Sequence, residues 1–255
     1  MKHKLLFTTI LAGSFFSTTA QTKPEETEYY KPVPKVVAPG KLPGQAPADA
    51  IVLFDGSNLD EWVAAKNPSS PDKWTLSGDD AMTVNKANGD LQTKKTFMDF
   101  QLHIEYLIPA NITGTGQARG NSGIFLAALP WGPGGYELQV LDNYNNSTYV
   151  NGQAGSMYKQ TPPLVNACRP PGEWQTYEVV WTAPRFKEDG TVLSPARVTV
   201  FHNGLLVQNN TVLTGDTPYI GQPSYKKHGA SPIKLQAHGD KSEPISYRNI
   251  WLREL

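Results

Sequence analysis

The sequence predicts an all-β chain folded as a sandwich of two antiparallel sheets. Three observations carry that reading. Short stretches alternate apolar and polar residues with the two-residue period of a strand that has one face in a core. They are punctuated by turn formers, with 22 glycines and 21 prolines among 255 residues. No stretch of any length has the apolar periodicity of an amphipathic helix.

In chain order, the first segment is an export signal. Lys2 and Lys4 precede an apolar run from Leu5 to Phe16, and Ser17, Thr18, Thr19 and Ala20 supply the small residues at which such a segment is cut. The run is shorter than the roughly 18 to 20 apolar residues of a membrane span, and no later segment reaches that length. A periplasmic or secreted protein, cleaved near Ala20 and not inserted in a membrane, is expected. Residues 21–48 hold six of the prolines, at 24, 32, 34, 39, 43 and 47, without apolar periodicity. Such composition predicts a disordered, extended linker, and the folded domain is expected over residues 49–255.

Within that domain, FQLHIEYLI (100–108) sets Phe100, Leu102, Ile104 and Tyr106 against Gln101, His103 and Glu105. NSGIFLAAL (121–129), GYELQVLDN (135–143) and TYEVVW (176–181) follow as strands. RVTVFHNGLLVQ (197–208) reads as a hairpin turning at Asn203-Gly204. IKLQAHGD (233–240) puts Lys234, Gln236 and His238 on one side, and SYRNIWLREL ends the chain as a strand.

Composition narrows the function. Basic and acidic residues number 23 each, so neither nucleic acid nor an anionic membrane surface meets a complementary field. Cys168 is the only cysteine, which removes internal disulfides and fits a bacterial exterior compartment. Zincin, α/β-hydrolase and phosphate-loop motifs are absent. A divalent metal held by groups from different strands stays open.

The candidate site follows from the polar sides of the strands. Glu137 and Gln139 point the same way from a strand anchored by Leu138 and Val140; Gln236 and His238 do so from another, and Gln101, His103 and Glu105 from a third. If these strands are neighbours, their faces merge into one cleft. Trp131, just before the Glu137 strand, would offer an aromatic platform for a sugar ring. Asn121 lies in a turn whose glycines let a ligand approach the backbone, and Arg248 is a candidate for an oxyanion. Each has a plainer counterpart: a solvated sheet face, a Trp packed under its loop, a capped sheet edge.

Taken together, LFDGSNLDEW (53–62), DFQLHIEY (99–106), GNSGIFL (120–126), YELQVLDN (136–143), PPLVNACRPPGEWQTYEVVWTAPRF (162–186), RVTVFHNGLLVQNN (197–210) and SPIKLQAHGD with YRNIWLREL resemble the 3-keto-disaccharide hydrolase family of secreted bacterial proteins. The resemblance implies a concanavalin A-like jelly-roll sandwich with its site on a concave sheet. It also implies a substrate already oxidised at carbon 3, supplied by a dehydrogenating oxidoreductase. Two departures stand out: Ala237 where many relatives carry Asp, and a longer segment from Asp240 to Pro244.

A ketone at carbon 3 acidifies the carbon 2 hydrogen, so a base can form an enolate that expels the carbon 1 oxygen, and water then adds back. Such a site needs a base, an acid and a stabiliser for the enolate oxygen. Glu137 and His238 are the expected acid and base, in either assignment. Glu105, Asn121, Gln139 and Gln236 are expected to bind hydroxyls, and Arg248 or a metal to stabilise the enolate. A glucanase would need two carboxyl groups, and the corresponding pattern here is Glu137-x-Gln139-x-x-Asp142. The alternatives to a 3-keto-glycoside hydrolase are a non-catalytic lectin-like domain and a conventional glucanase.

Overall fold

A computed structural model describes residues 23–70, 73–131 and 134–255. The expected export signal, residues 1–20, lies outside them. Residues up to Val36 form a unit of their own, exposed throughout its described part, with a 3-10 turn at Pro24–Thr27. The compact unit starts at Val37, ahead of the boundary expected at residue 49.

Among the described residues of that unit there are fifteen strands. They are β1 (Ile51–Phe54), β2 (Trp62–Ala64), β3 (Thr75–Ser77), β4 (Ala81–Thr83), β5 (Leu91–Thr93), β6 (Phe100–Leu107), β7 (Ser122–Ala128) and β8 (Gly135–Val140). Then come β9 (Trp174–Thr182), β10 (Arg185–Phe186), β11 (Val192–Ser194), β12 (Arg197–His202), β13 (Leu205–Val212), β14 (Lys234–Leu235) and β15 (Ser246–Glu254). One sheet of eight strands runs β13-β12-β9-β6-β15-β4-β3, with β1 also on β15; a second of five runs β2-β5-β14-β7-β8. All their pairings are antiparallel. This is the jelly-roll sandwich expected.

The core lies between the sheets. Leu102, Ile104 and Tyr106 of β6 share it with Ile124 and Leu126 of β7 and Tyr136, Leu138 and Val140 of β8. Two hydroxyl bridges cross it: Tyr177 donates to the Gln139 carbonyl (2.8 Å), and Ser122 Oγ meets the Tyr247 hydroxyl (2.8 Å). Buried polar groups paired in this way avoid the desolvation penalty of an unmet donor.

The segment from Val37 to Ala50 lies on the outer side of the eight-stranded sheet. The Gly44 carbonyl accepts from Trp251 Nε1 (2.8 Å) and Asn249 Nδ2 (3.0 Å), and the Asp49 carboxylate takes a two-pronged bond from Arg253 (2.8 and 2.9 Å). A Pro-rich segment without periodicity is thus ordered by side chains of a distant strand, which composition does not reveal.

Candidate active site

Glu137 and Gln139 project from the outer face of β8, at the edge of the five-stranded sheet, opposite their core-facing neighbours. Unlike an ordinary outward face, this one is covered, and all of β8 is buried. The chain after β8 returns along its edge, with Tyr158 N–H donating to the Glu137 carbonyl (2.9 Å) and Gly155 N–H to that of Gln139 (3.0 Å). The Thr217 hydroxyl accepts from Glu137 N–H (3.1 Å). Lys159 ties the two covering loops together, donating to the Tyr219 carbonyl with its ammonium 4.6 Å from the Tyr219 ring centre.

What remains open is a pocket of about 80 Å³, lined by Asn121, Glu137, Gln139, Tyr158, Thr217, Tyr219, Gln236 and His238. Room for the carboxyl comes from Gly123 on β7, whose chain partner is Gln139. A Cβ there would stand 2.5 Å from Glu137 Oε1. Glu137 is 5% exposed, and burial pushes its carboxyl up to about 8; the charges of Lys234 and Lys159 pull it down and Asp90 pushes it up. It therefore carries its proton at neutral pH.

A chain of amides fixes its neighbour. Gln117 Nε2 donates to the Gly152 carbonyl (2.8 Å), and Asn121 Nδ2 to the Gln117 carbonyl (2.8 Å). Backbone carbonyls only accept, so Asn121 Oδ1 must take the proton of Gln139 Nε2 (3.1 Å). Gln139 Oε1 is then left as an acceptor, buried and without a partner, as is Gln236 Oε1. Two acceptors in one pocket thus stand ready for hydroxyl donors.

Gln236 follows β14, its N–H still bonded to the Gly123 carbonyl (2.9 Å), but the ladder stops there. Ala237 N–H turns instead to Asp90 Oδ1 (2.9 Å). The strand expected over 233–240 is thus two residues long, and His238 sits beyond it. Its Nδ1 lies 2.8 Å from Asp240 Oδ2. Burial pushes Asp240 up, but hydrogen bonds from Ser242, Lys86 (2.9 Å) and His238 outweigh it and hold this carboxyl below its usual range. In the tautomer that donates Nδ1–H to this carboxylate, Nε2 carries the free lone pair.

Five expected residues thus meet: Glu137, His238, Asn121, Gln139 and Gln236. Three do not. Glu105 and Arg248 lie on β6 and β15, on the outer face of the opposite sheet, so the cleft merged from three strands is corrected to one built on β7, β8 and the segment after β14. There Arg248 Nε donates to Glu105 Oε2 (2.7 Å) and the guanidinium lies 4.0 Å from the Trp174 ring centre. His103 is held between Glu178 (2.5 Å) and Glu105 (3.4 Å). Alternation gives a residue's side of its strand but not the sheet that strand joins. Trp131 packs against the core, its Nε1 donating to Asp216 Oδ2 (3.2 Å), and does not line the pocket. The aromatic positions belong to Tyr158 and Tyr219, in loops that carry no periodic signal. Among the described residues, no three His, Cys, Asp or Glu side chains stand together as a metal site.

The family described as the 3-keto-alpha-glucoside-1,2-lyase-like domain matches residues 49–253. The chain belongs to this family. A 3-keto-disaccharide hydrolase of Bacteroides thetaiotaomicron is 28% identical over 167 residues, 53% of this chain, and the match spans only 54% of that relative. A crystal structure from Parabacteroides distasonis, assigned as a glycosyl hydrolase, is similar at 56% identity, with a TM-score of 0.84 over 91% of this chain and 97% of its own. A second from the same organism, at 18% identity and a TM-score of 0.56 over 81% of this chain and 94% of its own, shares the fold of this lyase-like domain.

Proposed function

We propose that the protein cleaves the glycosidic bond of 3-keto-glycosides by elimination followed by hydration. The observation that carries this reading is one pocket holding a protonated carboxyl, Glu137, and a carboxylate-braced imidazole, His238, beside unmet amide acceptors. Family membership and the glycosyl hydrolase names of the relatives support an activity on glycosidic bonds.

His238 Nε2 removes the carbon 2 proton, and the electron pair of that C–H bond forms the enolate of the carbon 3 ketone. As the enolate collapses to the enone, the carbon 1–oxygen bond breaks and Glu137 delivers its proton to the leaving oxygen. Water then adds across the enone, its oxygen to carbon 1 and a proton to carbon 2, giving the free 3-keto sugar. The Tyr158 hydroxyl and the Gln236 amide are the pocket donors that meet the enolate oxygen. The oxidised substrate comes from a dehydrogenating oxidoreductase, and the site of action is the periplasm or the exterior.

Geometry disfavours a two-carboxylate glucanase. Asp142 turns away from the pocket into an ion pair with Arg119 (2.7 Å), so among the described residues Glu137 is the only acidic side chain lining it. Incubation with 3-keto-trehalose, 3-keto-sucrose and the parent sugars tests the proposal. Cleavage of the keto sugars alone is expected, with a loss of at least 100-fold in kcat for Glu137→Gln. Binding without product would leave a lectin-like domain, and cleavage of the parents a conventional glycosidase.

A further inference from the structure

The Glu137 pocket is too small for two sugar rings, yet the same sheet face continues beyond it. Register places Glu137, Phe125, Lys234, Gln92 and Val63 in one row of directly paired residues across β8, β7, β14, β5 and β2. Paired residues share a face, and strands lie about 4.8 Å apart, so Gln92 is about 14 Å from Glu137 along this row. Phe125 and Lys234 separate Glu137 from Gln92 in this row, with the Lys234 ammonium 3.9 Å from the Phe125 ring centre. Beyond it opens a groove of about 560 Å³, lined by Ala65, Lys66, Asp90, Gln92, Leu129, Pro232 and Lys234 among others.

We propose that this groove is the leaving-group subsite, taking a second, unoxidised hexose ring or a comparable neutral polyhydroxylated aglycone. The assignment rests on the proposed elimination, because it places the scissile bond across Lys234 with the oxidised ring on the Glu137 side. The chemistry of the groove is that of a sugar site. Leu129 and Pro232 give an apolar surface for the C–H face of a ring, and Gln92 and Lys66 give hydrogen-bonding groups at its rim. Lys234 is paired with Asp90 at 3.3 Å, so its charge is compensated; Lys66 at the rim is a cationic donor that the hydroxyls of a neutral ring can meet. Asp90 is fixed in turn by the Ala237 N–H, which links the groove to the segment carrying His238.

The test compares 3-keto-trehalose with methyl 3-keto-α-glucoside, whose leaving group is too small to fill the groove. The ratio of kcat/KM for the disaccharide over the methyl glycoside should fall about tenfold in Gln92→Ala, the loss of roughly one hydrogen bond. It should fall further in Ala65→Trp, which fills the groove. An unchanged ratio in both variants overturns the subsite while leaving the elimination standing. If the wild type turns over neither substrate, the elimination falls and the groove is judged by calorimetric titration with trehalose. Binding to the wild type that is lost in Ala65→Trp supports it; equal binding, or none to the wild type, overturns it.

Discussion

Gly123 and Glu137 define the site at its smallest scale, one by the side chain it lacks and the other by the water it has lost. The carboxyl of Glu137 occupies the volume that any Cβ on Gly123 would claim, and it lies at the end of a flexible side chain. Gly123→Ala should therefore fold while rotating the carboxyl away, lowering kcat at least tenfold with little change in melting temperature. The burial that protonates Glu137 has its own signature. Its folded value of about 8 lies above the unfolded value of 4.5, so the folded state holds a proton that the unfolded state gives up between those limits. Its contribution to stability is fully present below about 4.5 and is lost as pH rises through about 8. At about 1.4 kcal/mol per pK unit, Glu137→Gln should be several kcal/mol more stable than wild type at pH 8, and the difference should vanish near pH 4. Urea titrations at the two pH values measure it, and equal stabilities at both would refute it.

Among the elements, the short β14 and the segment that leaves it matter most. The ladder breaks where Asp90 captures Ala237 N–H, and that break frees His238 to reach Asp240. In the proposed mechanism Asp240 is a positioning residue for His238. Asp240→Asn should lower kcat tenfold or more at nearly constant KM, and the downfield Nδ1 proton resonance of His238 should disappear; retention of that resonance would argue against the role. The long strands were legible beforehand because one face of each meets a continuous core, as in β6, β8 and β9. The Asn203-Gly204 turn was legible because both residues adopt positive φ, 52° and 81°. The three-residue strands β2 to β5 are too short for alternation to register. Tyr158, Thr217 and Tyr219 escaped notice for a related reason. They reach the pocket from loops whose path depends on contacts such as that of Lys159 with Tyr219, not on any local period.

For the whole molecule, the two outer faces of the sandwich have opposite fates. One carries the segment from Val37 to Ala50 and the ion pairs of Glu105, Arg248 and Arg253; the other carries the Glu137 pocket. Polar alternation looks alike on both sheets until pairing is known, so the sequence does not separate Glu105 and Arg248 from the face that carries Glu137. A chain beginning at Ile51 should accordingly be less stable than one beginning at Val37, because it loses the bonds to Trp251, Asn249 and Arg253, the first two of them worth roughly 1 to 3 kcal/mol together. Denaturant midpoints of the two chains would show it, and equal midpoints would mean the segment is dispensable. The bridge from Tyr177 to the Gln139 carbonyl has a different consequence. It fastens the backbone behind a pocket residue to a strand of the far sheet, through the core rather than along the chain. The height at which Gln139 stands in the pocket is therefore set by how closely the two sheets pack. A substitution that spreads the sandwich would reshape the pocket before it unfolds the protein.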